Sequence, residues 1–357
     1  MHIKPSILDI ESGEGLDPPG PYDGAGEESP WFLPDDEPAE DEPDPLARLF
    51  EVGRRRERYL PFADPGAWAL AEGLQPRALA DAAAALARLA ARLEYLGGAA
   101  RVLPLELAEL SWQSGARVGA DHVCLHLAGS GRAAMEEGSA RQMAGLSWAA
   151  RRLEAGRFDL RDLRSFLGEG EAAPGLAEAR ADWAERLAAA GHLHPLTRAA
   201  FAFALWQWMG LSSSTRVIEP AVMASLLAAE GQGRGPTYVP LALGANRYLT
   251  AGGPPVDRLA LWFQAAERGA KRALMELECA RTWAGKARAA TTDLSGRGPA
   301  ALIGLFEASP FVSTALAVKH GPNSRAAAQA NLNLFEARGL IREITGQGRF
   351  RLWRAVA

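Results

Sequence analysis

Between Val256 and Ala287 the apolar residues advance in steps of three and four without a break, through Leu259, Phe263, Ala266, Ala270, Ala273, Leu277, Ala280 and Ala284. A strand repeats every second residue, so only a helix keeps such a stripe on one face. The strict alternation gives a period of 3.5, that of a close-packed helical seam. Pro254-Pro255 stand where a helix start tolerates proline. At 1.5 Å per residue a helix over 256–290 spans roughly 50 Å. The seam serves either a homodimer or an internal packing face, and internal packing is the commoner use of such a stripe.

The segment before it has the same character. Pro76–Leu96 opens on proline, carries Leu79, Ala83, Leu86, Leu89 and Leu93 on one face, and runs into Gly97-Gly98, a helix stop. Leu105–Trp112 and Ala140–Leu153 read as further helices. Pro195–Met209 is apolar on every side, which places it at the centre of a helical domain. Gly231–Pro255 reads as a long loop with some structure. Alanine-rich runs favour helix throughout. The fold expected is mainly α, a helical domain followed by a C-terminal winged helix-turn-helix with a small β-hairpin wing. Its parts are a disordered acidic segment (1–45), a helical domain (46–290) and a DNA-binding domain (291–357), with the boundary in the linker-like Thr291–Pro299.

Charge is distributed unevenly. Residues 1–46 hold fourteen Asp or Glu against one Lys, a net of −13, and residues 291–357 hold eight Lys or Arg against four acids, a net of +4. An acidic head with a basic tail suits a chain whose tail meets a polyanion, and the head can then compete for the basic face. The head is too poor in large apolar residues to order itself; Trp31-Phe32-Leu33 is its one apolar cluster. No apolar run is long enough to span a membrane. Met1 to Ile10 lacks the order of an export signal, and Cys124 and Cys279 match no zinc spacing, so a reduced, cytoplasmic setting is expected.

The C-terminal stretch carries the chemistry. Pro299 lies at the start of a helix bearing Leu302, Ile303, Leu305 and Phe306, which ends before Pro310. Ser313 caps a short helix, His320-Gly321-Pro322-Asn323 turns the chain, and Ser324 or Asn323 caps a third helix that runs to Arg338 and stops at Gly339. An alternating strand from Leu340, a loop at Gly346-Gln347-Gly348 and a return strand from Arg349 complete a hairpin. In the third helix Ala328, Leu332 and Phe335 form the packing face, leaving Arg325, Gln329 and Asn333 on the other. Arginine pairs with a guanine edge, and glutamine or asparagine with adenine. Ser324, Arg325, Gln329 and Asn333 are therefore the expected major-groove contacts of double-stranded DNA, joined by Gln347, Arg349 and Arg351 of the wing at phosphates or the minor groove. If Phe350 and Leu352 face the core, Arg349 and Arg351 face away from it.

The stretches DHVCLHLAG (121–129), HPLTRAAFAFALW (194–206), RLALWF (258–263), PAALIGLFEASPFVSTALA (299–317) and GLIREITGQGRFRLW (339–353) resemble a family of alpha-proteobacterial, rhizobial plasmid-type proteins that join a helical domain of unknown function to a C-terminal helix-turn-helix. The resemblance implies DNA binding. The layout is also similar to that of Fic-domain proteins, whose His-Pro-Phe loop continues into a glycine-rich phosphate cradle. Here His194-Pro195 is followed by Leu196-Thr197-Arg198-Ala199-Ala200, without those glycines, so nucleotidyl transfer is not expected.

Other candidates have plainer explanations. His122, Cys124 and His126 share a short stretch, but on a helix Cys124 leaves the face of the two histidines, so neither they nor His192 and His194 make a metal site. Gly129-Ser130-Gly131 and Gly231–Gly235 lack the Lys-Ser/Thr of a phosphate loop. Arg54-Arg55-Arg56 with Arg58 reads as a solvated helix face. A non-enzymatic transcriptional regulator without metal or cofactor is the expectation, with the helical domain as a possible homodimer contact through 256–290. The alternatives are a protein-interaction or plasmid-maintenance adaptor and a degenerate Fic-like protein.

Overall fold

The computed structural model describes residues 62–356 apart from 97, 128–136, 157–158, 160–161, 169–173, 213–216, 231–236, 245–251, 322–323 and 347–350. All described residues belong to one compact unit, Arg58–Ala357. The acidic segment 1–45, Trp31-Phe32-Leu33, the Arg54–Arg58 run, both glycine loops, Gln347 and Arg349 lie outside the described residues.

Eleven helices of the described residues precede the C-terminal domain: α1 (Pro65–Gly73), α2 (Pro76–Leu96), α3 (Ala99–Gln113), α4 (Ala120–Leu127), α5 (Glu137–Ala155), α6 (Leu163–Leu167), α7 (Pro174–Ala189), α8 (Pro195–Met209), α9 (Ile218–Ala228), α10 (Leu241–Gly244) and α11 (Pro255–Ala289). The fold is mainly α, as expected. α2 and α8 begin and end where their prolines and apolar patterns place them.

Helix α8 is the hub. Every residue from Leu196 to Trp206 except Arg198 is buried. Trp183 of α7 meets Trp206 edge-on at 5.4 Å and donates its indole N–H to the Ala202 carbonyl. His194 caps the helix: its Nδ1 accepts from the Leu196 amide at 3.2 Å, and its own amide donates to Glu72 of α1. The histidine that the Fic comparison singles out is therefore a helix cap.

Helix α3 starts six residues earlier than expected, at Ala99, with Pro104 inside it. This lets α3 grip the one-turn helix α10. Glu106, 2% exposed, accepts from the Ala242 and Leu243 amides at 2.9 and 2.7 Å. Gln113 donates to the Ala242 carbonyl and Arg272 to that of Leu243. Side chains thus supply partners that so short a helix cannot find in itself. Behind α10, backbone meets backbone: a Cβ on Gly244 would stand 1.9 Å from the Ala265 carbonyl oxygen, and one on Gly269 1.9 Å from that of Pro240.

The long helix runs from Pro255 to Ala289, and every member of its seam from Leu259 to Ala287 is buried within the chain. The seam is therefore an internal face, spent against α2, α10 and the domain that follows. The seam itself is thus not the face that a homodimer along 256–290 would use.

The C-terminal domain comprises α12 (Arg297–Ala308), β1 (Phe311–Ser313), α13 (Thr314–His320), α14 (Arg325–Ala337), β2 (Ile341–Glu343) and β3 (Leu352–Ala355). The wing is a three-stranded antiparallel sheet in the order β1-β3-β2 rather than a lone hairpin. Val312 pairs with Trp353, and Trp353 with Glu343, so these share one face with Ile341; Phe311, Ser313, Leu352 and Arg354 share the other. The first face closes a core of Leu302, Ile303, Phe306, Ala317, Ala328, Leu332 and Phe335. Trp283, Ala284 and Ala287 of α11 belong to the same core, and the Trp283 indole donates to the Leu340 carbonyl at 2.9 Å. The long helix thus runs through both hydrophobic cores.

Candidate nucleic-acid interface

Helix α14 is held from behind and open in front. Ala328, Leu332 and Phe335 are buried at 0–1% exposure. Ser324 takes the N-cap, its hydroxyl accepting from the Ala327 amide at 3.3 Å, and Gly339 ends the segment with φ of +70°. Ser324, Arg325, Ala326, Ala327, Ala330 and Asn333 are exposed, and Gln329 is half-buried. The alanines keep the exposed face low and smooth. The N-terminal turn of α14 holds no acid.

The polar side chains are ordered in series. Thr314 of α13 donates to the Gln329 carbonyl oxygen at 2.9 Å, and the Gln329 amide donates to Asn333 Oδ1 at 2.9 Å. Among the described residues neither donor of the Asn333 amide has an acceptor. Arg325 has no hydrogen-bond or ion-pair partner among the described residues, so its guanidinium is uncommitted.

Two of the acids of this domain, Glu336 and Glu343, are turned to internal use. Glu336 accepts from the Trp353 indole at 3.2 Å and pairs with Arg351 at 3.3 Å. Burial pushes the Glu343 carboxyl up, but hydrogen bonds from the Thr345 hydroxyl and amide and from the Gly346 amide outweigh it and hold it below its usual range. Glu343 thereby braces the turn into the wing.

Arg351 differs from its expected setting. Its guanidinium lies 4.7 Å from the Trp353 ring centre as well as against Glu336. Successive residues Leu352 and Trp353 are both buried, since the sheet is covered on both faces; it is Trp353, not Leu352, that fills the domain's own core. Sequence reasoning overlooked Thr314, which orients Gln329, and the exposed Lys319 and His320 in the last turn of α13. A basic pair closing the helix before the turn was the signal for the latter.

A polar, exposed helix laid over two shorter helices and flanked by an antiparallel wing defines a winged helix-turn-helix. Residues 300–356 match the model of a protein family described as an HTH DNA binding domain. The chain thus carries a C-terminal helix-turn-helix DNA-binding domain. No curated protein matches the chain. Among the described residues no helix is long and apolar enough to cross a membrane, and no three His, Cys, Asp or Glu side chains converge as metal ligands.

Proposed function

We propose that this chain is a transcriptional regulator that reads double-stranded DNA with α14. In this reading Ser324, Arg325, Gln329 and Asn333 enter the major groove, Arg325 on a guanine edge and the linked Gln329–Asn333 amides on adenine. Gln347 and Arg349 of the wing, with Lys319, hold the flanking phosphates, and Arg351 joins them on exchanging Glu336 for a phosphate. The observation that carries the reading is the uncommitted Arg325 at the N-terminal end of an exposed helix whose small neighbours permit close approach. A single winged helix buries a small interface, so pairing of half-sites by two copies supplies specificity; surfaces other than the α11 seam then make the pair.

Titration of the full chain against random duplex DNA over a range of salt tests this. Affinity should fall linearly in log–log form, with a slope of about −0.9 for each phosphate neutralised. Absence of duplex binding at low salt would instead favour a protein-binding adaptor.

A further inference from the structure

The second face of the wing sheet covers a cavity. Phe311 and Leu352 of the sheet, Leu103 and Leu127 of α3 and α4, and Leu316 and Val318 of α13 line it; its volume is about 790 Å³. That is the size of a small-molecule pocket, about 300–1,000 Å³. Three charged side chains line it, Arg325, Arg351 and Glu154. Arg351 already serves Glu336, so among the described residues the lining cation without a partner is Arg325, the residue placed above on a guanine edge.

We propose that this cavity binds a small amphipathic anion, an apolar body ending in a carboxylate or sulfonate, and that the anion and duplex DNA compete for Arg325. The apolar walls take the body. The Arg325 guanidinium takes the head through charge-assisted hydrogen bonds. The competition rests on the DNA-binding reading; the binding of the anion does not. Because both the helical body and the winged helix line the pocket, this gives the body a task, the control of α14. Linkage makes the effect reciprocal.

The test uses the full chain with 1-anilinonaphthalene-8-sulfonate as fluorescent probe and decanoate as competitor. Saturable probe binding displaced by decanoate is expected. Ala100→Trp, from an exposed position of α3 on the cavity wall, should abolish it while leaving duplex affinity intact. Ala315→Trp fills the same space from the other side should the first variant fail to fold. Arg325→Ala should weaken probe binding about tenfold. Saturating decanoate should weaken duplex binding by the wild type and leave Ala100→Trp unaffected. Probe binding indifferent to decanoate or to both tryptophans would overturn the site. Normal anion binding with unchanged duplex affinity would overturn the competition. Normal anion binding in a chain that binds no duplex would support the pocket and overturn the DNA reading.

Discussion

The guanidinium of Arg101, in α3, donates from Nη1 to the main-chain carbonyl of Phe306 at 2.6 Å, joining the helical body to the last turn of α12. The same nitrogen reaches the Ser309 carbonyl at 2.9 Å, while Nε and Nη2 hold Glu276 of α11 at 3.0 and 2.7 Å. One side chain thus satisfies carbonyls that a helix end leaves open and bridges both cores. Arg101→Ala strands those carbonyls and a partly buried carboxylate. Urea unfolding should show a loss of about 3 kcal/mol. A loss below about 0.5 kcal/mol, the range of an ordinary surface substitution, would show that the winged helix does not lean on this residue.

The glycine crossing of α10 and α11 makes a second expectation. A methyl group on Gly269 overlaps the Pro240 carbonyl, and backbone cannot rotate aside as a side chain does. Gly269→Ala should cost about 3 kcal/mol or more and lower the melting temperature by roughly 6–12 °C. Gly285→Ala on the same helix meets nothing within 4 Å and should be neutral or slightly stabilising.

Glu106 links stability to pH. Burial pushes its carboxyl up to about 8, against the lowering effect of the Ala242 and Leu243 amides. Between about 4.5 and 8 the unfolded chain has released a proton that the folded chain keeps. Stability attributable to this group therefore falls as pH rises across that window, by at most about 1.4 kcal/mol per unit, and levels off above it. Glu106→Gln should remove that slope, although an amide facing a main-chain N–H lowers the baseline. Denaturation at a series of pH values, wild type against variant, gives the difference; parallel curves would contradict it.

His194 behaves in the opposite sense. Burial holds its ring below the usual histidine range against the pull of Glu72, and its Nδ1 must stay unprotonated to accept from Leu196. The unfolded chain takes up the proton first, so this contribution is present above the ordinary histidine range and is lost on acidification. His194→Ala should cost about 1 kcal/mol at neutral pH, and His194→Asn, a good cap, should recover most of it. Equal losses in both variants would mean that capping is not what the residue does.

The legible parts of this fold were those written in adjacent residues. Pro76, Pro195, Ser313 and Ser324 each mark a helix start through the local rules for prolines and caps, and the α11 stripe through its period. Strand β1 was not legible, because three residues between Pro310 and Thr314 are too few to show alternation. The start of α3 at Ala99, ahead of the expected Leu105, was not legible either, since the burial of Val102 and Leu103 that carries the helix past Pro104 depends on distant partners. Arg101, Glu106 and Thr314 act on residues far away in the chain or in another helix, and no pattern announces such pairs. At the candidate interface, the exposed stripe of α14 was read from its spacing alone, whereas the diversion of Arg351 to Glu336 depends on how the wing folds back.

The most direct measurement is selection of bound fragments from a random duplex pool, run in parallel with the wild type and Arg325→Ala. The wild type should enrich a defined motif containing a guanine, and the variant should lose preference at that one position, at a cost of about 1–3 kcal/mol on the enriched site. No enrichment by the wild type, or an identical motif bound equally well by the variant, would contradict the placement of α14 in the groove.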